Sequence, residues 1–277
     1  MNSHANLVTV ERSATTPGLV HVKLDRPGKL NSLTLETLDK LVATAHELRK
    51  DRSVRAVILS GVGANFSAGL DFGNALKRPG KIATTFLNRP WRGTNTFQEA
   101  CWAWHRLPFP VIAAVEGYCF GGGVQIALGA DYRYTTADAQ WSVLEAKWGL
   151  IPDMSGIMSM KQHLPMDVIK RLTMTGEIIT GEQAAAYGLA SEVVDNPLAA
   201  AEELAQLLMT RSPDSVAYSK RVIEETWAKG PRATFFKERL RQARLLAAKN
   251  TRIAQKAAAK KIPADKIAAT FRRREVR

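Results

Sequence analysis

A buried strand, a triple glycine and a helix start follow one another between residues 110 and 128, and they constrain the fold more than any other stretch. The run PVIAAV at residues 110–115 is apolar throughout, as expected of a fully buried strand. Three glycines follow at residues 121–123, and the next residues have helical character. A strand, a glycine turn and a helix start direct free backbone N–H groups at one point, where negative charge is stabilised. The glycines equally suit a tight turn that needs only their backbone freedom.

A second strand–glycine turn lies earlier in the chain. Residues 56–61 (AVILSG) predict another buried strand, and residues 65–72 (NFSAGLDF) continue with small residues, a glycine and a helix start capped near Asp71. Two such turns in one α/β chain can each direct one backbone N–H at a shared oxygen atom, which is how an oxyanion hole is built. The pair therefore indicates carbonyl chemistry at a thioester or an ester.

Strands and helices alternate along the first part of the chain, which predicts an α/β fold. Residues 20–24 alternate between apolar and polar as a strand does, and residues 34–48 carry an apolar stripe at helical spacing with Thr34 as the N-cap. Residues 97–107 predict a further helix before the strand at 110–115. This order is typical of helices that cover mostly parallel strands.

The pattern changes at Pro197, beyond which the chain is predicted to be helical. The predicted helices span residues 198–209, 216–227 and 233–261. We therefore divide the chain into a core of residues 1–196 and a C-terminal helical region of residues 197–277. Within the core, residues 73–96 predict an irregular loop that either borders a substrate pocket or is an ordinary surface insertion.

Positive charge is concentrated at the end of the chain. Residues 229–277 hold 16 Lys or Arg and 3 Asp or Glu, whereas residues 1–228 hold 23 of each sign, so the tail carries the entire net charge of +13. A solvated helix face with a frayed end at residues 272–274 explains most of these charges. Contact of a few with the phosphates of a nucleotide-bearing substrate is the next interpretation. Binding to nucleic acid is the least favoured.

Cysteine, histidine and hydropathy patterns indicate a protein of a reducing compartment. Cys101 and Cys119 are the two cysteines, and they favour a cytoplasmic location. The five histidines form no ligand pattern, so we expect no metal. Residues 109–130 are the most membrane-like segment, but Glu116, Gln125 and the glycines argue against a membrane span. Residues 1–8 lack the features of a signal peptide.

In this order and spacing, the motifs resemble the crotonase (enoyl-CoA hydratase/isomerase) superfamily over residues 20 to about 194. The matching pieces are LDRP at 24–27 with Asn31, FSAGLD at 66–71, PVIAAVEG at 110–117, GGG at 121–123, ADYR at 130–133, Glu145 with GLIP at 149–152, and TGE at 175–177 with GLA at 188–190. The resemblance implies a core built as a spiral of ββα turns with a C-terminal helical region. It also implies an acyl-CoA thioester substrate, no separate cofactor because coenzyme A is part of the substrate, and a homotrimer or a dimer of trimers.

The resemblance also assigns binding roles to individual residues. It implies that the thioester oxygen lies between the backbone N–H groups of Leu70 and Gly122. The residues expected to contact the substrate are Lys29, Ala68, Asp71, Phe72 and Phe271. Phe271 lies one helical turn after Ile267, and together they would anchor a C-terminal helix near the nucleotide, in some members that of a neighbouring subunit.

Three side chains are the candidates for the chemistry. Hydratases of this superfamily use two glutamates. The first position is Gln125, which cannot exchange a proton, and the second is Glu145. Asp153 lies eight residues after Glu145, and dienoyl-CoA isomerases of the superfamily use a glutamate and an aspartate at this separation. Those isomerases also carry an acidic residue where this chain has Gln125. Asp153 alternatively caps the helix start at residues 154–156.

We therefore expect an acyl-CoA double-bond isomerase, acting on enoyl-CoA or dienoyl-CoA, with Glu145 and Asp153 as the proton-transferring groups. The first alternative is an enoyl-CoA hydratase that uses Glu145 while Gln125 orients a water molecule. The second, from another class, is a protein that has kept the fold and binds nucleic acid through its basic tail.

Overall fold

The computed structural model describes residues 6–276. Strands are found at β1 (Leu7–Arg12), β2 (Leu19–Asp25), β3 (Ala56–Gly61), β4 (Val111–Val115), β5 (Tyr118–Phe120), β6 (Tyr132–Thr135), β7 (Gln140–Ser142), β8 (Ile179–Thr180) and β9 (Glu192–Val193). They form a six-stranded sheet in the order β1-β2-β3-β4-β6-β9 and a three-stranded sheet in the order β5-β7-β8. In the larger sheet only β1 runs antiparallel to its neighbour, so the fold is α/β as predicted.

The two sheets are linked by a repeated turn of chain. Strand β4 of the large sheet continues directly into β5 of the small one and then into a helix, and β6 continues into β7 in the same way. After β3, Ser67 makes a parallel bridge with Cys119 of β5 before the next helices begin. This strand–strand–helix succession confirms the predicted ββα spiral. It also brings the segments that follow β3 and β4 to the same edge of the large sheet.

Helices cover both faces of the large sheet. They are α1 (Leu35–Lys50), α2 (Phe72–Ala75), α3 (Pro79–Phe86), α4 (Thr96–His105), α5 (Gly122–Ala127), α6 (Gly156–Met160), α7 (Met166–Thr175), α8 (Gly181–Tyr187), α9 (Pro197–Met209), α10 (Pro213–Thr226), α11 (Pro231–Ala247), α12 (Lys249–Ala259) and α13 (Ala264–Ala268). Thr34 caps α1, as predicted, because its side chain accepts a hydrogen bond from the Thr37 N–H. Two short helices, α2 and α3, interrupt the segment 73–96, so the predicted irregular loop was wrong for residues 73–75 and 79–86 and is found for residues 76–78 and 87–95.

Alternate residues of the strands enter two different cores, which is the period expected of a sheet buried on both faces. Val57 and Leu59 of β3 belong to the main core with α1 and α4. Ala56 and Ile58 point the other way and pack with residues of α9, such as Ala201 and Ala205. Because each strand packs on both faces, the strands predicted from continuous apolar runs are fully buried.

The C-terminal region differs from the prediction in two places. The single helix expected over residues 233–261 is broken at Ala248, whose ψ of 144° ends α11 and begins α12. Just beyond the break, Asn250 is fully buried and its side chain donates to Asp214 and accepts from the Arg272 N–H. A helix that continued through Ala248 would move Asn250 away from these partners. The break at Ala248 therefore allows Asn250 to make its buried hydrogen bonds.

Arg274 and Val276, close to the end of the chain, are packed rather than frayed. Arg274 is 2% exposed, and its guanidinium donates to the carbonyl oxygen of Pro108 and lies over the Phe109 ring. Asp214, also fully buried, accepts the N–H groups of Glu275 and Val276. The predicted frayed end at 272–274 was therefore wrong for Arg274. Within the described part of the chain, no helix is both long and apolar enough to cross a membrane.

Candidate active site

The two glycine turns predicted from the sequence lie side by side. Ser67 donates its N–H to Tyr118 O at 2.8 Å, and its own carbonyl accepts the Phe120 N–H at 2.9 Å. Gly69 adopts a φ of +86°, and a Cβ at this position would lie only 2.8 Å from the carbonyl oxygen of Phe120. Glycine is therefore required both by the left-handed backbone and by the close approach of the second turn.

Two backbone N–H groups remain available where these turns meet. Among residues 6–276, the N–H groups of Leu70 and Gly122 donate to no protein acceptor, whereas Gly121 donates to Ser142 O at 2.8 Å. Gly122 is the first residue of α5, where the helix itself offers no acceptor for the N–H. Leu70 is fixed by a parallel bridge to Leu33. This arrangement supports the predicted oxyanion hole.

Glu145 lies beside the second turn, in a 3₁₀ turn at Leu144–Trp148, and is 8% exposed. A Cβ at Gly121 would stand 3.4 Å from Glu145 Oε1, so a side chain larger than glycine would crowd the carboxylate. Oε1 accepts a hydrogen bond of 2.6 Å from Gln125 Nε2. Oε2 is buried and has no hydrogen-bond partner among the described residues. One oxygen of Glu145 is thus held in place while the other is free to exchange a proton.

Gln125 holds that carboxylate. It lies in α5, is 1% exposed, and its Oε1 accepts the backbone N–H groups of Met154 at 2.8 Å and Gly156 at 2.9 Å. Because both N–H groups can only donate, they define which end of the amide is oxygen and direct the NH₂ group at Glu145. Both lone pairs of the carbonyl are engaged. The geometry therefore supports a role for Gln125 in positioning Glu145, while the predicted role of orienting water stays a prediction for its second N–H.

Asp153 does not cap a helix in the way that the sequence allowed. Helix α6 begins at Gly156 after Ser155, whose side chain makes no capping hydrogen bond, and the nearby N–H groups are satisfied by Gln125 instead. Asp153 is half-buried, and this burial raises its pKa. Burial also raises the pKa of Glu145, and the negative charge of Asp153 raises it further. The Asp153 carboxyl group therefore lies near enough to influence the ionisation of Glu145.

The residues predicted to contact substrate around the first turn are placed as follows. Lys29 is exposed at the end of a 3₁₀ turn. Ala68 donates its N–H to Leu30 O at 2.9 Å, and therefore that N–H is not available to a ligand. Asp71 forms an ion pair of 2.7 Å with Arg26. Arg26 and Asp71 thereby tie the loop before α1 to the turn that carries the free N–H of Leu70.

The two predicted aromatic contacts lie at different ends of the molecule. Phe72 stacks on Trp148, with 4.7 Å between the ring centroids, so it stands beside the 3₁₀ turn of Glu145. Phe271 lies 5.7 Å from the guanidinium of Arg55, which precedes β3. The glycine turns follow the carboxyl ends of β3 and β4. Phe271 is therefore at the opposite edge of the sheet, and within one chain the structure does not bring it to the predicted site.

Sequence reasoning missed the backbone partners of Gln125. Met154 and Gly156 lie 29 and 31 residues beyond it, and no side-chain type signals that their N–H groups point at an amide. Asn31 was noticed only as part of a motif. Its side chain accepts from the Arg26 N–H and donates to two carbonyls before the first glycine turn. No three His, Cys, Asp or Glu side chains among the residues described are arranged to hold a metal ion.

The chain forms an α/β spiral in which a buried carboxylate lies near two free backbone N–H groups. Such a site can stabilise a negatively charged oxygen atom next to a group that transfers a proton. A family profile described as enoyl-CoA hydratase/isomerase matches residues 14–256. The chain belongs to this family, and the predicted superfamily is confirmed.

Individual relatives agree with this assignment. The carnitinyl-CoA dehydratase of Salmonella enteritidis PT4 is 32% identical over 211 residues, which cover 75% of this chain and 77% of the relative. Among solved structures, the enoyl-CoA hydratase from Bacillus anthracis superposes with a TM-score of 0.81 at 25% identity, covering 92% of this chain and 96% of its own. DspI from Pseudomonas aeruginosa gives a TM-score of 0.81 at 26% identity, covering 100% and 98%.

Proposed function

We propose that this protein is an acyl-CoA double-bond isomerase in which Glu145 removes a proton next to the thioester and a carboxyl group returns one further along the acyl chain. The observation that carries the proposal is the asymmetric environment of Glu145. One of its oxygens is fixed by Gln125 and the other has no partner within the described part of the chain. A base needs such an unengaged oxygen near the proton that it takes.

The oxyanion hole makes that proton acidic. The thioester oxygen accepts hydrogen bonds from the Leu70 and Gly122 N–H groups, which strengthen as negative charge moves onto it. Loss of one such donor typically lowers the rate by about 10²–10³. Because the donors belong to the backbone, they bind coenzyme A thioesters regardless of which side chains carry out the proton transfer.

The proton balance requires no water. With a 3-enoyl-CoA, Glu145 takes a proton from C2 and the electron pair moves onto the thioester oxygen; Glu145 then returns its proton to C4, which leaves the double bond between C2 and C3. With a 3,5-dienoyl-CoA the returned proton enters at C6. Asp153, whose pKa is raised by burial, is the group proposed to supply it. Glu145 and Asp153 then serve as base and acid, as neighbouring carboxyl groups with perturbed pKa values do elsewhere.

Gln125 supports isomerisation over hydration. A hydratase must also hold and activate a water molecule. The Gln125 carbonyl is already occupied by two N–H groups, and its NH₂ group donates to Glu145. Neither end of this amide can act as a base. Double-bond migration needs one proton removed and one returned, so it tolerates glutamine at this position.

An ultraviolet assay with three thioesters tests the proposal. Purified protein is given a 2-enoyl-, a 3-enoyl- or a 3,5-dienoyl-CoA, and the absorbance of the conjugated thioester is followed. We expect the absorbance to rise with at least one of the last two substrates and to stay constant with the first. Rapid loss of absorbance from the 2-enoyl substrate, with no turnover of the others, would contradict isomerisation.

Hydration or dehydration is the second candidate, because a 32% identical relative is a carnitinyl-CoA dehydratase. In that reaction Glu145 would exchange the proton at C2, and water would have to be activated without a second carboxylate at position 125. The same assay distinguishes the two, since hydration of the 2-enoyl substrate removes its conjugation.

We further propose a homotrimer or a dimer of trimers. Phe271 lies at the edge of the sheet opposite the glycine turns, so it can contact the substrate's nucleotide only in the site of a neighbouring subunit. Light scattering of the purified protein measures the assembly, and a monomer would exclude the predicted role of Phe271.

A further inference from the structure

A cleft of about 1030 Å³ lies away from the glycine turns and is lined mainly by cations. We call it the basic cleft. Its lining residues are His46, Arg49, Lys50, Arg52, Trp91, Arg92, Glu99, Arg106, Arg221, Arg274 and Val276. Seven are Lys or Arg and one is acidic, and only Arg274 and Val276 belong to the basic tail. The charge-balanced part of the sequence therefore supplies most of this positive surface.

The single carboxylate of the basic cleft is already engaged. Glu99 is 2% exposed and accepts hydrogen bonds from Thr94, His46 and Arg106. Arg221 pairs with Glu225 on its own helix. The other five cations make no ion pair with a carboxylate in the described part of the chain; they are Arg49, Lys50, Arg52, Arg92 and Arg274. The cleft thus has a surplus of positive charge.

Arg274 is a fixed member of this group. Its guanidinium donates to Pro108 O at 2.9 Å and Val276 O at 3.0 Å, both of them neutral acceptors. Burial lowers its pKa to about 10; the carboxylates of Asp214 and Asp51 oppose this shift, whereas the positive charges of Arg52 and Arg49 add to it. The cations of the cleft therefore still repel the buried guanidinium, and an anion bound among them would reduce that repulsion.

The basic cleft is remote from the candidate active site. Arg49 and Lys50 end α1, whereas Leu33, just before this helix, pairs with Leu70 at the first glycine turn. The helix rises by about 22 Å over its 16 residues. Arg274 in turn contacts Pro108, at the amino end of β4, while Gly122 follows its carboxyl end. A ligand of the cleft would therefore be distinct from the thioester.

We propose that the basic cleft binds an oligophosphate anion of nucleotide size, with its phosphates on the exposed Arg49 and Arg52 and near the buried charge of Arg274. Guanidinium groups present paired donors that match phosphate oxygens, and several in one cleft suit a chain of adjacent phosphates. Trp91, 74% exposed at the rim, offers a flat surface on which a base can stack. The proposal does not depend on the reaction assigned to Glu145.

Isothermal titration of the full chain at low ionic strength tests the proposal, with tripolyphosphate and ATP as probes. The double variant Arg49→Gln/Arg52→Gln removes two exposed cations of the cleft. Its matched control, Lys256→Gln/Lys260→Gln, removes two exposed cations of the tail that do not line the cleft. We expect the first variant to weaken both probes at least about tenfold, as loss of charge-assisted hydrogen bonds does, and the control to change affinity less than about twofold.

Further measurements show whether the bound phosphates belong to a nucleotide, to a simple phosphate chain or to RNA. We expect Trp91→Ala to weaken ATP but not tripolyphosphate. Equal losses in the two double variants would overturn the proposal, because the attraction would then belong to the net charge. So would tight binding of a single-stranded RNA oligonucleotide without measurable binding of either small probe. Melting curves of all variants verify that each is folded.

Discussion

Replacing Gln125 by glutamate would keep the size of this side chain and put a second carboxylate against Glu145. The Gln125 Nε2 atom and Glu145 Oε1 are 2.6 Å apart, and Gln125 Oε1 would stay on the N–H groups of Met154 and Gly156. Two negative charges at that separation repel by about 6 kcal/mol at an effective dielectric constant of ~20. This corresponds to a shift of about 4 to 5 pKa units in one member of the pair. At neutral pH the pair is therefore expected to hold one shared proton.

Two measurements follow from the Gln125→Glu change. First, the acid limb of kcat/KM for a 3-enoyl-CoA should move to higher pH, because Glu145 must lose the shared proton before it can act as a base. Secondly, a group whose pKa is raised in the folded state stabilises the fold only while it is protonated. The variant should therefore match the wild type near pH 5 and lose stability relative to it as the pH rises through the raised pKa. The variant should also gain some hydration of a 2-enoyl-CoA, since both glutamate positions associated with hydratases would be filled.

The variant Gln125→Met is the control, because it breaks the contact without adding a carboxylate and should move the acid limb less. If Gln125→Glu showed the wild-type pH profile and wild-type stability at pH 8, the contact between residues 125 and 145 would not exist in solution. The positioning role of Gln125 would then be refuted.

Three further changes test other parts of the account. Asp153→Asn removes the acid proposed to protonate C6, so turnover of a 3,5-dienoyl-CoA should fall steeply while turnover of a 3-enoyl-CoA falls less, as the ultraviolet assay can measure. Burial raises the pKa of Glu224 to about 7, so the ionised form of this side chain destabilises the fold. Glu224→Gln should therefore stabilise the fold by at most about 3 kcal/mol at pH 8 and hardly at pH 4, which thermal melts at the two pH values measure. Gly69→Ala would force a Cβ to 2.8 Å from Phe120 O at a φ of +86°, and should cost about 1–3 kcal/mol in urea unfolding and most of the turnover.

Local sequence signals account well for the elements that carry the site. The apolar runs of β3 and β4, the N-cap Thr34 and the two glycine turns all depend on neighbours within a few residues, so pattern and turn chemistry predict them. The two turns meet because β3 and β4 run parallel and end at a common edge of the sheet. The choice of Leu70 and Gly122 within the turns came from the family resemblance.

Features fixed by distant contacts could not be predicted in this way. The break at Ala248 depends on Asn250 meeting Asp214, 36 residues away. The burial of Arg274 depends on Pro108, 166 residues away. Similarly, the sequence showed glutamine where a hydratase has glutamate, but only the fold brings it to Met154 and Gly156 and turns its amide towards Glu145. The sequence did not predict the basic cleft, because most of its cations are scattered over residues 1–228, whose total charge is balanced.

The central claim is that Glu145 is the group that removes the substrate's proton, while backbone N–H groups bind the thioester. It is tested most directly by Glu145→Gln, with turnover of a 3-enoyl-CoA and the Kd of a non-reacting acyl-CoA measured on the same preparation. Glu182→Gln, on an exposed position of α8, serves as the control. The account predicts turnover reduced by at least about 10²-fold, the scale of a lost general base, with a Kd within about threefold of the wild type. Turnover within a few-fold of the wild type would remove Glu145 from the mechanism and contradict the account.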